Sequence, residues 1–155
     1  MKKTVTTGEI LSVYQVIGNA KYGKMSDDDK IKAWKIARKL KPVATKFDDD
    51  SKDAAEKFKE GFEDFDARLQ RAQEYERLNG NGEPTIDIMS TADYNAFIED
   101  FKKYKELNGK AVREFADKEV DVEFDALSEE AFGKLIASND WTMGQVTLLG
   151  DFICE

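Results

Sequence analysis

Apolar residues in this chain recur most often at the spacing of an α-helix. The strongest signal is a 4-3-4-3 run, the 3.5-residue period of helices that pack against one another. Its members are Phe58, Phe62, Phe65, Leu69 and Ala72. The pattern ends at Leu78, after about two heptads. We therefore predict one continuous helix over residues 58–72, in an antiparallel helical hairpin rather than a long coiled coil.

Two further helices are predicted before this run. The first begins at Thr7, the N-cap, and reaches about Lys21. The second begins at Ser26 and turns Ala33, Ile36, Ala37 and Leu40 to one face. Pro42 is expected to stop or kink this helix, because proline lacks a backbone N–H and disfavours helical geometry in the preceding residue. The sequence Asp48-Asp49-Asp50-Ser51 then resembles a new helix start.

The second half of the chain begins with a loop at residues 79–84, where Asn, Gly and Pro cluster. Ser90 caps the next helix, which is predicted to end at Asn108-Gly109, with a further turn or two over residues 110–116. Two short C-terminal helices are predicted at Ser128 to Ala137 and Thr142 to about Leu149.

Between these helices the pattern changes from a period of 3.6 to a period of 2. Val120, Val122 and Phe124 alternate with acidic residues, which is typical of a half-buried strand. We expect residues 85–89 to be its partner strand, because a lone strand cannot satisfy its backbone groups. The predicted fold is mainly α (α+β), a helical hairpin or bundle with a minor two-stranded antiparallel β element.

Length and composition favour one domain. The chain has 155 residues and 41% hydrophobic content, enough for a core without disulfides. We predict a single domain over 1–155, with a helical part over 1–78, the loop over 79–84 and an acidic α/β part over 85–155. No apolar run approaches the ~20 residues that span a bilayer, so we expect a soluble protein that does not engage membranes.

Charge is divided unevenly along the chain. The net charge is −8, yet residues 1–78 hold 17 Lys+Arg against 15 Asp+Glu, while residues 79–155 hold 7 against 17. The segment 30–46 has seven basic residues and no acid. The electrostatic field of such a charge distribution governs solubility and the choice of partner rather than the fold. The overall negative charge makes direct nucleic-acid binding unexpected.

Catalytic chemistry finds little support. Histidine is absent, which excludes Ser-His-Asp and Cys-His arrangements and His-containing zinc sites. The only cysteine, Cys154, allows neither an intramolecular disulfide nor an all-thiolate zinc site. We therefore expect no enzyme activity, no cofactor and no metal. An enzyme that works with carboxylates alone is the least favoured alternative.

Two groups of residues are candidates for partner binding. The first, called the acid ladder below, projects from one face of the predicted strand and consists of Glu119, Asp121, Glu123 and Asp125. It suits a basic partner or imitates nucleic-acid phosphates, and the plainer alternative is the solvated face of a sheet, since edge strands carry charge against aggregation. The second is Trp34 beside Arg38, residue types enriched in binding hot spots, although a neighbouring helix often covers such a Trp.

Several segments together resemble small uncharacterised proteins encoded by tailed bacteriophages. The segments are Thr7-Gly8-Glu9-Ile10, Lys35-Ile36-Ala37-Arg38-Lys39-Leu40, the charged helix around Phe58–Leu78, and the strand Glu119–Phe124. The resemblance implies a phage or prophage product in the bacterial cytoplasm or the virion, and it supplies no catalytic residues. This chain departs from the pattern in its long Asn/Gly loop.

Sequence alone thus favours a non-catalytic protein-interaction protein, a phage accessory or virion-associated component whose partner is another protein. The alternative is an acidic inhibitor of a host nucleic-acid-binding or defence protein, with the acid ladder in place of phosphates. A mimic of this kind needs its acidic residues gathered on one continuous surface, whereas a virion component does not.

Overall fold

A computed structural model describes residues 1–155, and it confirms a mainly helical fold with a minor two-stranded antiparallel sheet. In chain order the elements are β1 (Lys2–Thr6), α1 (Thr7–Gly18), α2 (Asp27–Lys59), α3 (Phe65–Gly80), α4 (Thr91–Asp117), β2 (Glu119–Glu123), α5 (Glu129–Ala137) and α6 (Met143–Ile153). None of the six helices combines the length and the apolar character needed to cross a membrane.

The predicted strand exists, but its predicted partner was wrong. β2 pairs with β1 at the start of the chain, with Val5 opposite Val120 and Thr4 opposite Asp121. Residues 85–89 form a turn instead, in which the backbone N–H groups of Ile88 and Met89 both donate to the Thr85 carbonyl. The turn satisfies these groups locally, so the segment does not need a partner strand.

The second helix does not end at Pro42. α2 continues to Lys59, and the prediction of a stop and a new start at 48–51 was wrong. The apolar face explains the continuity, because Leu40 before the proline and Ala44 after it are both buried. Proline removes one hydrogen bond, and this cost is offset when the helix buries its face on both sides of it.

A continuous helix over residues 58–72 was also a wrong prediction. The chain leaves helical geometry after Lys59 and re-enters it at Phe65, and Asp64 takes the left-handed conformation with φ 47°. A turn lies between, with Phe62 in it and Gly61 beside it. The 4-3-4-3 spacing thus runs from the end of α2 through the turn into α3, and Phe62 of the turn packs against the cluster that buries Phe65.

The predicted caps are confirmed at Ser26 and Ser90, but the predicted cap at Thr7 was wrong, because Thr6 caps α1 by accepting from Glu9 N–H. α5 and α6 are capped as well. Ser90 accepts from the backbone N–H of Asp93, and Ser128 accepts from that of Ala131. At α6 the Thr142 side chain accepts from Gln145 N–H while the Gln145 side chain accepts from Thr142 N–H, a complete capping box. In contrast, Asn108-Gly109 does not end α4, which continues to Asp117.

The chain divides into two compact units, residues 1–49 with 114–155, and residues 50–113. This division does not follow the loop at 79–84, which lies inside the second unit. Residues 50–59 of α2 and residues 91–113 of α4 belong to the second unit, and the remainder of each helix belongs to the first. That the whole chain behaves as a single domain stays a prediction.

The first unit has an aliphatic core. Ile10, Val13 and Ile17 of α1 line up at i, i+3 and i+7 and are at most 1% exposed. They belong to one cluster with Leu40 of α2 and Leu149 of α6. The second unit has an aromatic core, in which Phe65 at the start of α3 lies 5.6 Å, ring centre to ring centre, from Phe97 of α4.

Candidate functional site

The basic segment of α2 presents four cations on the side of the helix opposite its buried face. These four residues, called the basic stripe below, are Lys32, Lys35, Arg38 and Lys39. The same stretch of α2 packs into the core through Ala33, Ile36 and Leu40, none of which is more than 1% exposed. The amphipathic pattern of the sequence therefore fixes the direction of the stripe.

The stripe borders a cavity of the first unit. This cavity has a volume of about 560 Å³ and is lined by the whole basic stripe together with Met1, Glu123, Phe124 and Asp125. Two hydrogen bonds join the lining residues Met1 and Phe124: Met1 N donates to the Phe124 carbonyl at 2.8 Å, and Phe124 N donates to the Met1 carbonyl at 3.0 Å. Two members of the acid ladder thus lie on the same cavity as the stripe.

No ion pair closes this cavity. None of the four cations lies within 4.0 Å of a carboxylate, so Glu123 and Asp125 are not bonded to the stripe. Four cationic side chains, the α-ammonium of Met1 and two carboxylates therefore line one space, and no ion pair joins the side chains. The helix side is positive, and the strand side carries two carboxylates with the Met1 ammonium beside them.

Trp34 lies outside the cavity, and no helix covers it. Its side chain is 55% exposed, and the Arg38 guanidinium lies 5.2 Å from the centre of its ring, a cation–π distance. Ile31, one turn earlier on the same side of α2, is 51% exposed. A large apolar patch thus lies in the middle of the basic segment, with Arg38 shared between the patch and the cavity.

The acid ladder points to solvent along the strand. Glu119, Asp121 and Glu123 are exposed, while Val122 between them is buried. On the facing strand Thr4 donates its hydroxyl to an Asp121 carboxylate oxygen at 2.6 Å, and Lys2 lies opposite Glu123. The ladder is therefore interleaved with polar and basic groups from β1.

The structure brings together some of the predicted residues and not others. Arg38, Glu123 and Asp125 line one cavity, whereas Trp34, Glu119 and Asp121 do not. Sequence reasoning missed Met1 and Phe124 as lining residues because it chose the wrong partner for β2. The Thr4-Val5-Thr6 alternation was the one local signal that could have identified β1 as a strand.

Two observations concern metal binding and the chemistry of the single thiol. No group of three or more Asp, Glu or Cys side chains is positioned to hold a metal ion. Burial raises the pKa of the Cys154 thiol, and the nearby Glu129 carboxylate adds to this effect. A raised pKa leaves less of the nucleophilic thiolate at neutral pH.

Comparison with known proteins adds no further constraint: no protein-family model, curated protein sequence or solved structure matches this chain.

Proposed function

We propose that this chain is a non-catalytic interaction protein and that the exposed side of α2 around Trp34 binds an acidic partner protein. The observation that carries the proposal is the exposure of Trp34 and Ile31, at 55% and 51%, inside a segment without a single acid. We call this surface, Ile31, Trp34 and Arg38, the α2 patch.

The physical argument rests on the energetics of interfaces. Burying an indole ring removes a large apolar area from water, and Trp and Arg dominate binding hot spots because they combine apolar area with directional contacts. The stacked Arg38 restricts the Trp34 ring, which lowers the entropy lost on binding. The surrounding lysines favour a partner with acidic residues around an apolar pocket.

The alternative, an acidic mimic of nucleic-acid phosphates, receives less support. A mimic requires a continuous acidic surface, yet Lys2 and Thr4 face the acid ladder across the sheet. At the other end Glu123 and Asp125 share a cavity with the basic stripe. These positive charges weaken the field that a phosphate-binding protein would recognise.

A phage accessory or virion-associated role, in the bacterial cytoplasm or the virion, is the biological setting we propose for this interaction. It rests on the resemblance in the sequence alone. Detection of the protein in purified virions by mass spectrometry would test the virion form of this proposal, and its recovery only from infected cells would favour the accessory form.

The binding proposal is tested with matched bait proteins in a bacterial lysate. Wild type, Trp34→Ala, Arg38→Glu and Ile86→Ala are immobilised at equal density, and captured proteins are quantified by mass spectrometry. Ile86 is the control because it is also apolar and 78% exposed. We expect specific partners to be depleted about tenfold or more on Trp34→Ala and Arg38→Glu, as for hot-spot residues, and unchanged on Ile86→Ala. Equal capture by all four baits would contradict the proposal.

A further inference from the structure

The cavity between the basic stripe and the end of β2 shares only Arg38 with the α2 patch, and its other lining residues have a chemistry of their own. From its lining we propose that it binds a small phosphorylated molecule that carries an amino group at the end remote from the phosphate. This proposal is independent of the protein-binding function proposed above.

The positive wall supplies the phosphate site. Lys32, Lys35 and Lys39 follow one another at i, i+3 and i+7, so they share one side of α2 and span about 10 Å along its axis. All three border the cavity and form no ion pair with a carboxylate. A group with two negative charges gains more from such a set of cations than a single carboxylate does.

The negative wall excludes a simple anion. Glu123 and Asp125 line the same cavity from the strand side and would repel a ligand that is negative throughout. Neither carboxylate has a cation within ion-pair distance, so both are available to accept from a donor. An ammonium group on the ligand turns this repulsion into attraction, because opposite charges close together stabilise each other.

The size of the cavity sets the scale of the molecule. A volume of about 560 Å³ lies in the range of small-molecule sites and is far more than one inorganic phosphate requires. The lining also includes Phe124 and the Met1 side chain, which offer apolar contact to the middle of a ligand. A sugar phosphate with an amino substituent satisfies these three conditions together.

Two commercial sugar phosphates separate the contribution of the ligand's ammonium group from that of its phosphate. Glucosamine 6-phosphate has the phosphate and the ammonium group, whereas glucose 6-phosphate lacks the ammonium group and is otherwise closely matched. Each is titrated into the full chain by isothermal calorimetry at low salt, with inorganic phosphate as a third titrant. We expect saturable binding of glucosamine 6-phosphate, with glucose 6-phosphate and inorganic phosphate at least tenfold weaker.

Variants then locate the site. Lys35→Gln and Lys39→Gln should each weaken glucosamine 6-phosphate binding roughly tenfold, the usual effect of losing a charge-assisted contact. Glu123→Gln should abolish the preference for the amino sugar. Lys110→Gln, a neutralised lysine outside the cavity, is the control and should change nothing. Circular dichroism of each variant verifies folding, which these exposed positions should not disturb.

Several results would overturn the proposal. They are the absence of saturable binding of glucosamine 6-phosphate, equal binding of both sugars, or unchanged affinity in the lysine variants. Trp34→Ala separates the two proposals, since it should lose the partner protein but keep the amino sugar. Loss of the sugar in that variant would mean that the two surfaces are one, and it too would overturn the proposal of an independent site.

Discussion

The two compact units of this protein form their cores in different ways. The core cluster of the first unit contains sixteen buried apolar residues, most of them aliphatic, and many are fully inaccessible. The core cluster of the second contains only five, which are surrounded by half-buried aromatic rings such as Phe62, Phe101 and Tyr104. An aliphatic side chain contributes most when it is enclosed, whereas an aromatic ring still stabilises through its edge and face when one side meets water.

The difference also separates local from long-range structure. The sheet of the first unit joins residues 2–6 to residues 119–123, and Leu127 and Cys154 form an isolated bridge outside this sheet. The rings of the second unit come from α3, α4 and the turn before α3, which are close in sequence. The first unit therefore depends on contacts that no local pattern reveals, and it is the unit that carries both candidate surfaces.

The largest expected effect is in the aromatic unit. Phe97 is 1% exposed and contacts Phe65 and Phe101, so Phe97→Ala should lower the free energy of unfolding by about 3–5 kcal/mol. Phe62→Ala is the comparison, with about 1–2 kcal/mol expected because Phe62 is only half-buried. Urea denaturation followed by circular dichroism measures both. Equal losses would show that the aromatic core does not depend on enclosure.

The aliphatic unit should respond almost as strongly. Leu149→Ala removes a side chain that is 0% exposed and should cost about 2–5 kcal/mol, whereas Met143→Ala, 76% exposed in the same unit, should cost less than about 0.5 kcal/mol. Both tryptophans, Trp34 and Trp141, belong to this unit, so their fluorescence reports on it alone.

Tryptophan fluorescence and the helical circular dichroism signal together test whether the chain is one domain. Since α2 and α4 each contribute residues to both units, we expect Leu149→Ala to shift the tryptophan transition and the overall helical signal together. A tryptophan transition that moves while a separate helical transition stays in place would contradict the single-domain prediction.

A smaller effect is expected at a side chain that joins two loops of the first unit. The Asn139 amide accepts from Lys21 N–H at 2.8 Å and donates to the Lys21 carbonyl at 2.8 Å. Asn139→Ala should cost about 1–2 kcal/mol in thermal or urea unfolding, since both backbone groups lose a partner and water replaces it only in part. Asn19→Ala, which breaks only a bond to Gln15 in its own helix, should cost less. The reverse order would show that this long-range clamp contributes little.

A pH-dependent effect belongs to the second unit. Tyr94 donates its hydroxyl to Glu76 at 2.6 Å, and this bond to a carboxylate raises the pKa of Tyr94 to about 12 from 10.0. Because the folded pKa is the higher one, the stabilisation is complete below pH 10 and disappears as pH rises towards 12. Stability measured across this window should fall less steeply in Tyr94→Phe than in wild type. Parallel curves would contradict the assignment.

The smallest effect on folding is expected at the acid ladder. Neutralising Glu119, Asp121, Glu123 and Asp125 as a set should change stability by less than about half a kcal/mol per residue, because all four are exposed. If the ladder binds a basic partner, the same change should slow association at low salt and have little effect at high salt. Unchanged association at low salt would leave the α2 patch as the only protein-binding candidate.

Short sequence patterns by themselves determined several features of this structure. The caps at Ser26 and Ser90, the starts of α5 and α6, the amphipathic face of α2 and the alternation of β2 were all readable from the sequence, because each depends on residues within one or two turns of each other. The orientation of the basic stripe follows from the same face. The exposed positions of the acid ladder follow from the alternation alone.

Tertiary structure decided the rest, and the reason is physical in each case. The partner of β2 lies more than a hundred residues away, where the choice depends on backbone hydrogen bonds and on the packing of buried Val122 and half-buried Val5 and Val120 rather than on any nearby signal. Pro42 stays within α2 because burial on both sides of it offsets the lost bond. The turn at 60–64 interrupts the helical pattern, and both Phe62 in the turn and Phe65 after it join one aromatic cluster with side chains of α4. The cavity itself exists only because β1 fixes the end of β2 beside the stripe, and a helical wheel contains no information about that distance.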